Sequence, residues 1–318
     1  MYYIGVDLGG TNIAVGIVDE NYNIVKKGSV PTLADREADA IIADMANLAK
    51  RLLDECNISL DDVAYVGIAS PGSVNPDTCV IEYANNLPFR DFNVAESFQK
   101  VLPVKKVLCA NDANAAALGE AIAGAAKGVK DSVMITLGTG LGGGIIIDGK
   151  IYTGFNNYGA ELGHVVVIHN GKPCSCGRKG CWEAYSSATG LINMTKDKMA
   201  VAKDSAMWEL CGGSIDKASG RTAFAAARQG DKAAQEVVDE YISILACGIV
   251  NMINIFQPEI FIIGGGVSGE GDNLLNPLNA LVDSEQYGMR NDKKTQLKIA
   301  TLGNDAGIIG GAVLGLQG

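Results

Sequence analysis

Several short segments of this sequence place residues that handle phosphate, protons or metals at spacings too regular to ignore. The first is Asp7-Leu8-Gly9-Gly10-Thr11-Asn12. A glycine turn between strands leaves backbone N–H groups uncovered, so a polyphosphate can approach and collect charge-assisted hydrogen bonds. Thr11 adds a hydroxyl donor, and Asp7 is suited to hold Mg²⁺ directly or through water, which offsets the repulsion between carboxylate and phosphate. The same residues also read as a plain hairpin tip. A second turn, Gly138 to Gly144, includes Thr139 and Gly140 and satisfies the G-x-G-x-x-G pattern of dinucleotide folds. A dinucleotide site needs a helix to begin there; Ile145, Ile146 and Ile147 instead continue as strand, so the NAD reading fails on context. In a third segment, Gly264, Gly265 and Gly266 follow an apolar run. There an adenosine can lie flat against the backbone, or the chain simply turns from strand to helix.

A separate cluster points to metal. His164 precedes Cys174 by ten positions, and Cys176 and Cys181 follow around a turn with Gly177 and Gly180. One imidazole and three thiolates make a closed tetrahedral zinc site. With no coordination position open to water, the zinc organises its loop and takes no part in chemistry. The chain has only two histidines, and His169 lacks such a context and reads as a surface residue. Cys56, Cys79, Cys109, Cys211 and Cys247 are scattered in apolar surroundings, where a thiol is a small hydrophobe. Glu161 and Glu183 flank the cluster, either as acids held toward one cleft or as solvated loop residues. Asn111 and Asp112 close a strand and open a helix, at the strand end where ligands bind in such sheets. Asp112 is the candidate base, able to orient an attacking hydroxyl and accept its proton; Asp is also a preferred N-cap.

These groups need elements to position them. The segments IGVDLGGTNIAVGIVD from Ile4 and MITLGTGLGGGIIID from Met134 align without gaps, Leu8, Gly9, Ile17 and Asp19 matching Leu137, Gly138, Ile146 and Asp148. Each reads as strand, glycine turn, strand, so two lobes on one plan are expected. Helical spacing marks Ala38 to Cys56, Ala113 to Ala126 and Asp231 to Phe256, the last stopped by Pro258. Strands are expected at Val63 to Ala69, Val104 to Ala110 and Ile260 to Ile263. The boundaries expected are a small α/β lobe at 1–111, joined by 303–318, and a large α/β lobe with the zinc loop at 112–302.

The 318 residues, 47% hydrophobic, suffice for two cores. Lys plus Arg is 26 against 36 Asp plus Glu, a net charge of -10, which opposes nucleic-acid phosphate and anionic lipid. The N-terminal apolar run lacks a basic segment and is interrupted by Asp7, so no secretion signal is expected. The stretch Ile244 to Phe256 carries Asn251 and Asn254 and is too short to cross a bilayer. A cytoplasmic protein with no membrane or nucleic-acid partner is expected.

Three glycine turns in this order resemble the sugar-kinase, actin and heat-shock-ATPase superfamily, a two-lobed, ribonuclease H-like α/β fold with the active site in the interlobe cleft. More narrowly, VDLGGTN at Val6, NDANAAALGE at Asn111, LGTGLGGG at Leu137, GAELGH at Gly159, CSCGRKGCWE at Cys174 and IIGGGVS at Ile262 resemble the ROK family. The resemblance covers almost the whole chain. ROK repressors carry an added N-terminal helix-turn-helix; the few residues before Asp7 favour the kinase branch. The resemblance implies MgATP bound at Asp7, Gly9, Gly10, Thr11, Asn12, Gly138, Thr139, Gly140, Gly264, Gly265 and Gly266. It implies a hexose contacted by Gly72 of SPGSVN, Asn86 of NNLP, Asn111, Asp112, Glu161, His164 and Glu183, with lobes closing to exclude water. Glucose O6 is the leading acceptor, which places the reaction in glycolysis; fructose, mannose, N-acetylglucosamine and N-acetylmannosamine are alternatives, and a non-catalytic sugar sensor is another. A homodimer or homotetramer is implied as well.

Overall fold

A computed structural model describes residues 1–288, 290 and 292–317. The first half of the chain forms strands β1 (Tyr2–Leu8), β2 (Asn12–Asp19), β3 (Ile24–Pro31), β4 (Val63–Ser70), β5 (Ser73–Asn75), β6 (Val80–Tyr83), β7 (Arg90–Asn93) and β8 (Val107–Asn111). One sheet has the order β3-β2-β1-β4-β8, and β5, β6 and β7 form a small antiparallel sheet. β1 pairs antiparallel with β2 and parallel with β4, which pairs parallel with β8.

Across this sheet Gly16, Gly5 and Gly67 lie side by side. Missing side chains in a strand mark close approach of another backbone, and here the helix Ala306–Val313 supplies it. A Cβ on Gly5 would come within 1.9 Å of the Ile308 carbonyl, and one on Gly67 within 1.9 Å of the Gly311 carbonyl. The other face is covered by Ala38–Cys56, whose Ile41, Ile42, Met45, Leu48 and Leu52 are buried at helical spacing.

The second half repeats the plan. Strands β9 (Ser132–Leu137), β10 (Leu141–Ile147), β11 (Lys150–Ile151), β12 (Ile260–Gly264) and β13 (Gln296–Ile299) follow the order β11-β10-β9-β12-β13. A hairpin with a third strand on one side and two parallel strands on the other is the first sheet's topology again, as the internal sequence match requires.

Other expectations hold within a few residues. The helix at Ala38–Cys56 forms as read. Lys232–Phe256 is capped by Asp231, which accepts the Ala234 N–H at 2.8 Å. That helix is long and apolar enough by composition to cross a membrane, with mean hydropathy 1.4. Its apolarity is spent inside the protein, where Gly248 abuts the buried Trp182 indole. β8 starts at Val107 instead of Val104, because Pro103 has no N–H and Val104 closes a turn onto the Leu102 carbonyl at 2.8 Å. The helix Asp112–Ala123 stops short of Ala126 because the Glu120 carboxylate takes the Ala125 N–H at 2.7 Å.

The chain clusters into two compact units, one comprising Met1–Lys130, Gly144–Ala160 and Thr301–Gly318, the other Asp131–Gly143 and Glu161–Ala300. These divisions differ from 111/112 and 302/303. Helix Asp112–Ala123 stays with the first unit because it packs backbone-close on Ala306–Val313: a Cβ on Gly310 would meet the Ala115 carbonyl at 2.0 Å. The final residue of the expected joining segment, Gly318, lies outside the described residues.

Candidate active site

In the first unit, the parallel strands β1, β4 and β8 end side by side, with Asp7 opposite Ala69 and Ser70 opposite Asn111. This brings Asp7, Gly72, Asn111 and Asp112 to one sheet edge. The Asn111 side chain caps the following helix, accepting the Ala113 and Asn114 N–H groups at 3.0 and 3.2 Å, while its Nδ2 donates to the Gly72 carbonyl at 3.1 Å. The N-cap is therefore Asn111, and Asp112 is the first helical residue. Asp112 accepts the Ala113 N–H at 2.8 Å. Burial raises its pKa against the lowering pull of that N–H. Asp7 is pushed up to about 6, first by burial and then by the charge of Asp112. Its carboxylate rests on Gly307, in the first turn of Ala306–Val313, where the helix dipole favours negative charge. A buried carboxylate whose proton affinity is raised further by a second acid sits in an environment a divalent cation relieves.

The first glycine turn is closed by the Gly9 N–H donating to the Asn12 carbonyl at 2.9 Å. The Gly138 N–H does the same to Gly140 at 3.0 Å in the second turn. Gly9 and Gly138 thus shape the turns, while Gly10, Thr11, Thr139 and Gly140 present theirs. Thr11 is tied to Thr32 through its carbonyl at 2.8 Å, and Asn12 starts β2. Asn86 lies exposed on the loop after β6, its Oδ1 accepting from Asn85 at 3.4 Å.

In the second unit, β9 and β12 run parallel with Thr136 opposite Gly264, so two of the glycine segments end at one edge. Gly265 has φ 81°, and its Cβ position lies 2.4 Å from the Leu137 nitrogen, so no larger residue fits. Gly266 begins the short 3₁₀ turn Gly266–Glu270. Glu183 does more than the sequence suggested: one carboxylate oxygen accepts the Leu141 N–H at 2.9 Å, and the other accepts from Ser175 at 3.3 Å. It therefore joins the cysteine loop to the second glycine turn. Glu161 precedes the 3₁₀ turn Leu162–His164, and its carbonyl accepts the His164 N–H at 3.1 Å.

His164, Cys174, Cys176 and Cys181 bring one ligand atom each within 4.8 Å of one another. His164 Nδ1 lies 3.7 Å from Cys174 Sγ, and Cys176 Sγ 3.7 Å from Cys181 Sγ. Four ligands on a tetrahedron at zinc–sulfur distance are separated by about 3.8 Å, so the donor set fits zinc. The electrostatics agree: the Cys176 thiol is lowered, first by the Arg178 N–H, whereas burial and neighbouring sulfurs push Cys181 up to about 12. Three thiolates this close need a cation.

Sequence reading passed over Ser73, Glu82 and Tyr158, which meet in the first unit, and Glu120, buried and holding the Leu302 N–H at 2.7 Å. It also passed over Asn114, buried with its Oδ1 unpartnered among the described residues. A lone Glu in an otherwise apolar helical stretch, four residues before Gly124, was the available signal for Glu120; Tyr158 offered none.

A duplicated sheet whose strand ends gather glycine turns and carboxylates defines an α/β protein of the actin-like ATPase superfamily. Residues 3–317 match the ROK family, and the chain belongs to it. It is 40% identical over 311 residues to a glucokinase of Thermotoga maritima, covering 97% of this chain and 95% of that one. It is 38% identical over 318 residues to a glucokinase of Halalkalibacterium halodurans, covering 98% and 94%. The crystal structure of a ROK family glucokinase from Streptomyces griseus in complex with glucose and AMPPNP superposes with a TM-score of 0.84 at 36% identity, covering 100% of both chains.

Proposed function

We propose that this protein transfers the γ-phosphoryl group of MgATP to a hydroxyl of glucose, O6 by family resemblance, with Asp112 as the base. The observation that carries this reading is the placement of Asp112: it follows the Asn111 cap at the ends of β4 and β8, beside Asp7 and Gly72. Capping is supplied by its neighbour, so the carboxylate is available for chemistry. A raised pKa brings a carboxylate's basicity closer to what general-base work at neutral pH requires. Glucokinase homologues at 37–40% identity support the acceptor.

Phosphoryl transfer is mostly positioning and charge stabilisation. Gly10, Thr11, Thr139 and Gly140 present N–H groups to the phosphates, and the Gly264–Gly266 segment carries the adenosine. Asn86, Asn111, Glu161, His164 and Glu183 pair with glucose hydroxyls, and a polar pocket rejects analogues that leave such groups unpaired. Asp112 orients the attacking hydroxyl and accepts its proton. Asp7 would hold Mg²⁺, whose charge would offset that developing on the transferred group. Cys174, Cys176, Cys181 and His164 would hold zinc; ligation through Nδ1, the nitrogen nearer Cys174 Sγ, would leave the other imidazole nitrogen for the sugar. Ligation by these four residues would fix the loop between Glu161 and Glu183, and Glu183, through its bond to the Leu141 N–H, would carry that order to the second turn.

The test is a panel of hexoses with MgATP, comparing wild type with Asp112→Asn. The reading requires glucose-dependent ADP release in wild type, and it fails if the panel gives none.

A further inference from the structure

Between β11 and Glu161 the chain makes a loop that is closed on itself. The Gly159 N–H donates to the Thr153 carbonyl at 2.8 Å, Thr153 Oγ1 lies 3.0 Å from Asn157 Oδ1, and Asn157 takes φ 62°. From this loop Tyr158 reaches outward, its hydroxyl donating to Glu82 Oε2 on β6 at 2.6 Å. Glu82 raises the phenol's pKa, and the nearby Ser73 side chain pulls it back down. Each segment joined there leads within a few residues to a proposed sugar contact. Ser73 adjoins Gly72, whose carbonyl is held by Asn111 at 3.1 Å. Glu82 adjoins Tyr83, whose hydroxyl donates to Asn85 at 3.2 Å, and Asn85 donates to Asn86. Tyr158 itself stands three residues before Glu161.

The Tyr158 ring is 50% exposed, and exposed polar pairs contribute little to folding. Little stability therefore rests on this bond. What it does fix is geometry: one phenol ties the 153–159 loop to β6, which is itself paired with β5. Small displacements of positioning groups are costly where a ligand is recognised by paired hydrogen bonds.

We propose that Tyr158 is a positioning residue for the acceptor sugar, its hydroxyl on Glu82 holding the 153–159 loop against the strand pair that leads to Gly72 and Asn86. This rests on the assignment of those segments to the sugar. Glu82 is the acceptor that sets the phenol's direction, so the pair acts as one device and its two halves are interchangeable targets.

Steady-state kinetics with purified full-length enzyme test it. Tyr158→Phe is expected to raise KM for glucose by about 5- to 20-fold, with kcat within about twofold and KM for MgATP unchanged. Glu82→Ala reproduces that effect, Glu82→Gln, which keeps an acceptor oxygen, largely restores glucose KM, and the double variant Tyr158→Phe/Glu82→Ala is no worse than either single one. A glucose KM within twofold of wild type in Tyr158→Phe overturns the inference. So does a parallel loss of kcat, MgATP affinity and Tm, which assigns the residue to folding. Asp112→Asn run alongside separates the two claims: if it turns over normally the base assignment fails, whereas an inactive Asp112→Asn beside an unaffected Tyr158→Phe removes only this inference.

Discussion

Asp7 shows what a buried acid at the proposed site costs the fold. An acid whose folded pKa is raised gives the fold a contribution present below its unfolded pKa and lost as pH rises through the folded value. For Asp7 the window runs from 3.8 to about 6, so above pH 6 the native state carries a buried charge worth roughly 2–3 kcal/mol of lost stability. Asp7→Asn is therefore expected to raise Tm by several degrees at pH 7.5 and to leave it near wild type at pH 4, while activity falls; a Tm difference independent of pH would contradict this. Asp112→Asn keeps the carboxylate's shape without its basicity, and turnover should drop by about 10² to 10⁴-fold with glucose affinity kept within an order of magnitude. Both acids were legible in the sequence from their place beside glycine turns and strand ends. The influence of Asp112 on Asp7 was not, because it depends on β1 and β8 lying two strands apart in a sheet the sequence does not order.

At the scale of elements, the stripe Gly16-Gly5-Gly67 decides where the C-terminal helix rests. The sequence showed these glycines only as interruptions in β-branched strands; the helix they admit begins far along the chain, at Ala306, and no local pattern announces it. Gly67→Ala would press a methyl group into the Gly311 carbonyl, and such overpacking costs about 1–3 kcal/mol. Thermal melts should show a lower Tm for Gly67→Ala and little change for Gly10→Ala, where a Cβ meets nothing within 4 Å. The cysteine loop was readable outright, since three thiols and one of two histidines fall in eighteen residues. Its reach was not, for the contact from Glu183 to Leu141 depends on tertiary folding. Removing metal with a strong chelator should lower Tm and expose Cys174, Cys176 and Cys181 to a thiol reagent. An unchanged melt with those thiols already reactive before chelation would argue against a bound metal.

Over the whole molecule, the internal sequence match foretold that two sheets share one plan, and they do, strand for strand. It did not foretell how the chain is shared between the compact units, because Gly144–Ala160 and Thr301–Gly318 return to the first through packing of glycine on backbone. The duplication has a functional sense: each copy ends its first hairpin in a turn closed by its leading glycine, leaving the next amides to present themselves. The measurement that bears most directly on the account is glucose-dependent ADP release, followed with MgATP in excess for wild type and Asp112→Asn at equal zinc content. Brisk release from wild type only when glucose is present, and its loss in the variant with glucose still bound, is the predicted result; equal release from both proteins, or release indifferent to glucose, would contradict it.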